Sequence, residues 1–307
     1  MSGSPAGGDF LASMAQASQA RCARARQLRS EAQLRDFIAR LPAPLPLALA
    51  DQGFDLIAEL KLRSPAVGAL RPAASEDVPA RVLAYAEAGA AAVSVLTEPS
   101  RFDGSMLHLE KAARALSLHG VPAMRKDFLV DPYQVLEARA AGAGGVLLIL
   151  RMLPRPTLEA LLDEALAQGL FVLLETFDEA DIALAQELLA TRRERAPRDA
   201  LLVGVNCRDL ATLQVVPGRL EALAARLPTE VPRVAESGVG SAADAARVAA
   251  AGYDLALVGS ALMSGGEPRQ LAASMLEAAR AAIGRRSRRG SARSSAPPVE
   301  PGARATS

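Results

Sequence analysis

Apolar residues in the middle of this chain follow two rhythms that take turns. A stretch with helical spacing ends in glycine, and a short apolar run follows: YAEAGAAAVSVLT, ARAAGAGGVLLIL, EALAQGLFVLLET and VAAAGYDLALVGS. Glycine just past a helix supplies a left-handed cap, and an unbroken apolar run after it reads as a strand buried on both faces. Three further runs, VPAMRKDF, LLVGVNCRDL and PRVAESGVG, lie between these units, and FDLIAEL precedes them. The pattern predicts strands near 54–61, 91–97, 121–126, 144–151, 169–175, 201–206, 231–236 and 254–259. Helical spacing fills the gaps, for instance over 76–88, 132–141, 156–168 and 242–251.

Alternating βα units over about 225 residues suit a parallel (β/α)8 TIM barrel of the α/β class, which typically takes about 250. A doubly wound open sheet alternates in the same way and stands as the competing architecture. The expected layout is an N-terminal helical extension over 1–50, a catalytic barrel over 51–284 and a disordered Arg/Ser/Pro-rich tail over 285–307. The extension reads as one or two helices, FLASMAQASQARCARARQL and EAQLRDFIARL. The tail lacks periodic hydrophobics, which is why disorder is expected there.

Charge and composition narrow the class. The net charge is +1, but 285–307 holds six arginines and one acid, or +5, which leaves −4 on the rest. The body therefore has no bulk attraction for nucleic acid or an anionic membrane. The apolar run Ala140–Leu150 falls well short of the ~20 residues that span a bilayer. With no apolar leader after the first methionine, a cytoplasmic protein is expected. Cys22 and Cys207 form no CxxC pair, and the only histidines are His108 and His119, so no metal site is expected.

Lysine is the informative residue. Of 35 basic residues only Lys61, Lys111 and Lys126 are lysine, so 35 − 3 = 32 are arginine. Residues two apart on a strand point the same way, which sets Ile57, Glu59 and Lys61 on one face and Ala58 and Leu60 on the other. Lys126 closes the third predicted strand, Glu175 the fifth, Asn206 the sixth, Glu236 and Ser237 the seventh, and Gly259 and Ser260 the eighth. Carboxyl ends of barrel strands converge on the face that carries chemistry. An ammonium can exchange a proton near neutral pH and a guanidinium cannot, so lysine at two such ends points to proton transfer. Lys111, within MLHLEKAARAL, reads as an ordinary exposed residue. The small residues of AESGVGSAAD and LVGSALM, after strands seven and eight, read as a phosphate cradle.

These motifs resemble the indole-3-glycerol phosphate synthase family of tryptophan biosynthesis. The similarity covers roughly 54–275 and runs in order through IAELKLRSP, VSVLTEPSRFDGS, MRKDFLVDPYQVLEARAAGA, LLETFDEAD, VGVNCRDL, AESGV and LVGSALM. It implies a carbon–carbon lyase that closes a ring in 1-(2-carboxyphenylamino)-1-deoxyribulose 5-phosphate with loss of CO2 and water, using no metal and no cofactor. It further implies Lys126 as general acid, Lys61 on the substrate carboxylate, and Glu59 and Glu175 handling protons. Asn206 and Arg208 would hold the anthranilate portion and Phe102 would pack on the ring. Ser64, Ser237, Gly238, Gly259 and Ser260 would bind phosphate. A monomer whose partner is this small phosphorylated substrate is expected.

The chain departs from the family pattern at Leu62 and Ala66 in the first loop, at Phe177 and at Cys207. None of these is a proposed catalytic group, though Leu62 and Ala66 leave the first loop less polar. Phosphoribosylanthranilate isomerase, a related barrel, is set aside because it needs a cysteine where the first strand here has Glu59 and Lys61. A Schiff-base aldolase and a catalytically silent, sugar-phosphate-binding barrel remain as competitors. Phosphate binding alone would require neither the two lysines nor the two glutamates.

Overall fold

A computed structural model describes residues 7–50, 53–72, 76–197 and 199–294. The apolar runs form eight strands: β1 (Asp55–Leu60), β2 (Ala92–Leu96), β3 (Ala123–Lys126), β4 (Gly145–Ile149), β5 (Phe171–Thr176), β6 (Leu201–Asn206), β7 (Arg233–Glu236) and β8 (Leu255–Val258). All pair in parallel, and β8 returns to β1, so the sheet closes into a barrel rather than an open doubly wound sheet. The glycines that end the repeated units, Gly89, Gly142, Gly169 and Gly252, all have positive φ, between 72° and 108°. Each turns the chain from a helix back toward a strand in a conformation that a side chain would strain.

Strand alternation sorts the core into two clusters. Leu56, Ala58 and Leu60 pack outward with Val93, Val95 and the helices, while Ile57 packs inward with Met124, Leu173 and Val234. The registers stack the inward side chains in layers drawn from alternate strands. Ile57, Met124, Leu173 and Val234 make an apolar layer on the odd strands. Two residues further along those same strands stand Glu59, Lys126, Glu175 and Glu236. The floor beneath these four comes from the even strands and includes Ser94 and Gly204, which are in register with Glu59 and Glu175.

Two helices precede the barrel, α1 (Gly7–Leu28) and α2 (Glu31–Ile38). A reciprocal capping box between Ser30 and Gln33 starts α2. Tyr133 pins α1 by donating its hydroxyl to the Ala25 and Arg29 carbonyls at 3.2 and 2.8 Å. The segment leading to β1 buries Leu47 in the inward cluster and brings the Leu45 carbonyl against Gly144, at the amino-terminal end of the barrel. After β1, Arg63–Ser64 pairs with Gly68–Ala69 in a small antiparallel ladder that the sequence pattern does not predict. The last helix, Pro268–Ser294, buries Ala272, Met275, Leu276 and Ala279 and continues beyond Gly284, where an aperiodic tail is expected. Residues 295–307 of that expected tail lie outside the described residues.

Candidate active site

The carboxyl ends of the strands surround a cavity of about 440 Å³. Every residue singled out from the sequence lines it: Glu59, Lys61, Ser64, Phe102, Lys126, Glu175, Asn206, Arg208, Ser237, Gly238, Gly259 and Ser260. Lys111 is exposed on its helix, away from this cavity.

Lys126 stands at the centre of the charged layer. Its Nζ lies 3.5 Å from Glu59 Oε2, 3.7 Å from Glu175 Oε2 and 3.5 Å from Glu236 Oε2. Lys61 Nζ meets the other oxygen of Glu59 at 2.6 Å. The three carboxylates are almost fully buried and the two lysines largely so, at 14% and 16% exposure. Charges so far from water persist only when paired.

Burial opposes charge on Lys126, but Glu59, Glu175 and Glu236 outweigh it and hold the ammonium pKa above the ordinary lysine range. Burial likewise opposes charge on Glu59, and there Lys61 and Lys126 prevail, so its pKa lies below the usual carboxylate value. For Glu236, burial and the neighbouring Glu175 carboxylate overcome the pull of Lys126 and push its pKa well above the usual value. Neither Glu236 oxygen receives a hydrogen bond within the chain. The direction is consistent with charge balance, because two ammonium groups match two carboxylates when Glu236 is a neutral carboxyl.

Glycines make room for this layer. A Cβ on Gly259 would collide with Glu59 Oε1 and lie 3.1 Å from Lys61 Nζ. A Cβ on Gly204 would collide with Glu236 Oε1. Gly259, read from the sequence as part of a phosphate cradle, therefore also backs the Glu59–Lys61 pair. Beside it, Ser237 (φ 63°) and Gly238 (φ 73°) are consecutive left-handed residues. For Ser237 this backbone costs on the order of 1–3 kcal/mol, a strain that clusters at binding sites.

One wall is apolar and aromatic. Phe128 lies 6.2 Å from Phe102 and 5.9 Å, edge to face, from Phe10, with Leu210 also lining the cavity. Asn206 accepts the Arg208 backbone N–H at 2.9 Å, and the Arg208 guanidinium donates to the Leu213 carbonyl at 2.6 Å, which fixes this rim. Phe128 and Phe10 escape a sequence-based choice, and Glu236, seen there at the end of the seventh predicted strand, is given no role. Glu236 carries a legible signal, since it closes an odd strand at the level of Glu59, Lys126 and Glu175. Phe10 reaches the cavity only because α1 docks there. Among the described residues, no group of three or more His, Cys, Asp and Glu is placed to hold a metal ion. No helix among them is long and apolar enough to cross a membrane.

Comparison with known proteins agrees with this geometry. The family model for indole-3-glycerol phosphate synthase matches residues 9–275. The chain belongs to the indole-3-glycerol phosphate synthase family. A relative from Parafrankia sp. (strain EAN1pec) bearing that name is 42% identical over 251 residues, covering 81% of this chain and 88% of its own. One from Mycolicibacterium vanbaalenii is 43% identical over 243 residues, 78% of this chain and 83% of its own. Among solved structures, thiamine phosphate pyrophosphorylase from Pyrococcus furiosus superposes with a TM-score of 0.55 at 17% identity, covering 75% of this chain and 97% of that one. 3-Hexulose-6-phosphate synthase from Salmonella typhimurium gives 0.54 at 15% identity, over 74% and 98%. At such identities these two share the fold with this member of the indole-3-glycerol phosphate synthase family and nothing further.

Proposed function

We propose that this chain is an indole-3-glycerol phosphate synthase. It converts 1-(2-carboxyphenylamino)-1-deoxyribulose 5-phosphate into indole-3-glycerol phosphate, releasing CO2 and water. The observation that carries the reading is the layer of Lys126 among Glu59, Glu175 and Glu236 at the mouth of a barrel of this family. Ring closure followed by dehydration needs a proton source and a proton sink a few ångströms apart, and this layer holds both.

The chemistry follows from the charges. The aromatic carbon that bears the carboxylate attacks the ketone carbon, and the ketone oxygen takes a proton from Lys126. An alkoxide is a far stronger base than an amine, so even a firmly held ammonium donates at this step. Loss of CO2 returns the bonding electrons to the ring. The new hydroxyl then leaves as water with a proton from an acid of the layer, while Glu175 or Glu59 removes a proton from the adjacent CH2. One proton is taken up from solvent overall.

Lys61, beside Glu59 at the mouth, pairs with the substrate carboxylate, and Asn206 and Arg208 hold the anthranilate ring against Phe102. Ser64, Ser237, Gly238, Gly259 and Ser260 receive the phosphate. The pKa of Lys126, raised rather than lowered, speaks against an imine-forming lysine, which must be neutral to attack a carbonyl. The proposal includes a monomer working in the cytoplasm. In support, among the described residues the exposed large hydrophobics Leu28, Val67 and Val215 come singly from separate segments, and Leu107 and Leu118 stand 118 − 107 = 11 residues apart on one helical stretch. Incubating the purified protein with the carboxyphenylamino substrate should generate indole fluorescence. A folded preparation that yields none overturns the reading.

A further inference from the structure

Besides Phe10, helix α1 sends a cation, Arg21, against the loops that carry the site. Arg21 Nη2 donates to Asp127 Oδ1 at 2.6 Å, and Nη1 lies 3.6 Å from Glu98 Oε1. Both carboxylates are buried, at 1% and 0% exposure. Asp127 directly follows Lys126. Its Oδ1 also accepts the Phe128 backbone N–H at 2.8 Å, and its Oδ2 accepts from Thr97 Oγ1 at 2.7 Å and Arg125 Nη2 at 3.2 Å. Glu98 caps the short helix Pro99–Phe102 by accepting the backbone N–H groups of Ser100 and Arg101. These two acids therefore hold the loops that present Lys126, Phe128 and Phe102 to the cavity.

The cluster balances two buried carboxylates with two guanidiniums, Arg125 from β3 and Arg21 from α1. Arg125 is shared with Glu137 at 3.3 Å, so without Arg21 the acids are under-compensated and the loops must shift or take up a proton. Arg21 does not line the cavity, so its influence on chemistry passes through Asp127 and Glu98. Attachment of α1 does not depend on it. Arg26 pairs with Asp131 at 2.6 Å, Ser18 accepts from Gln134 at 2.8 Å, and the Tyr133 hydroxyl holds the carbonyls near the end of α1.

We infer that Arg21 is a positioning residue for the reaction proposed above, holding Lys126 and the Phe102–Phe128 wall in place from a helix outside the barrel. The inference rests on that reaction, and the experiment separates the two. Arg21→Ala, Arg21→Lys and, as a reference, the exposed Arg24→Ala are compared with the unaltered chain for kcat, KM and melting temperature. Arg21→Ala should lose about 10- to 100-fold in kcat with KM within a few-fold, the cost of displacing a reacting group by about an ångström. Millimolar methylguanidinium should restore much of that loss, and Arg21→Lys should fall between. Arg24→Ala should match the unaltered chain. Arg21→Ala with kcat within twofold of normal, or a kcat loss that methylguanidinium does not relieve, overturns the positioning role. If Arg21→Ala does not fold, Arg21→Lys decides the matter: reduced kcat at unchanged melting temperature supports the role, and unchanged kcat overturns it. An unaltered chain that makes no indole is a failure of the reaction itself and takes the inference with it.

Discussion

Replacing Gly259 with alanine adds one carbon atom at the most crowded point of the site. The new Cβ would overlap Glu59 Oε1 and lie 3.0 Å from its Cδ and 3.1 Å from Lys61 Nζ. To regain ordinary contact the Glu59 carboxylate must retreat by about 1 Å, and a displacement of that size at a reacting group costs roughly 100-fold in rate. The same move pulls Glu59 from Lys61, at 2.6 Å, and disturbs its approach to Lys126, at 3.5 Å. Overpacking of this kind costs about 1–3 kcal/mol, equivalent to a few to about 10 °C in melting temperature for a domain of this size. Gly266 is the reference, because a Cβ there meets nothing within 4 Å. Steady-state kinetics by indole fluorescence, with thermal unfolding of both variants, gives the comparison. Gly259→Ala should lose kcat far more than it raises KM, and Gly266→Ala should do neither. A Gly259→Ala variant with near-normal kcat and a raised KM would refute this reasoning and leave Gly259 a phosphate contact only.

Other outcomes follow from the same layer. Above the ordinary carboxylate pKa, folded Glu236 keeps a proton that the unfolded chain has lost, so this residue makes stability fall as pH rises. Glu236→Gln should remove up to about 1.4 kcal/mol per pH unit of that slope, seen as urea midpoints at pH 5 and pH 8 that converge relative to the unaltered chain; parallel slopes would refute the assignment. Glu59→Gln and Glu175→Gln keep shape but not proton transfer, so each should lower kcat more than it raises KM, and a pure KM effect would make that glutamate a positioning group. Inorganic phosphate should raise the melting temperature by binding at the Ser237–Gly238 end of the cavity, and indifference to phosphate would count against the cradle. Truncation after Gly284 should leave activity and melting temperature unchanged, because Ala272, Met275, Leu276, Ala279 and Ala282, which pack the last helix on the barrel, precede it; a loss of either would show that the remainder docks.

The barrel was legible because four of its eight strands, at Gly89, Gly142, Gly169 and Gly252, follow a helix-ending glycine and are runs too apolar to face water. The strand ends fall within a few residues of their predicted places for that reason. The small ladder at Arg63–Ser64 was not legible, since two residues carry no period. Glu59, Lys61, Lys126 and Glu175 stood out because lysine is rare here and strand ends converge. Glu236 was visible at a strand end, but its membership of the layer needs the strand registers, which set odd strands level with one another. Phe10 and Arg21 could not be read at all. Their place depends on where α1 docks, and nothing in local spacing encodes that. Gly259 was read as a ligand cradle, whereas its lack of a side chain also serves two neighbouring charges.

On the proposed mechanism Lys126, held charged by the acids around it, gives the proton that closes the ring. Lys126→Arg tests it most directly, because a guanidinium keeps the positive charge and releases no proton near neutral pH. With kcat and KM followed by indole fluorescence, the account predicts a fall in kcat of about 10²- to 10⁴-fold in a folded protein whose KM stays within a few-fold. A Lys126→Arg variant that turns over close to the normal rate would contradict it.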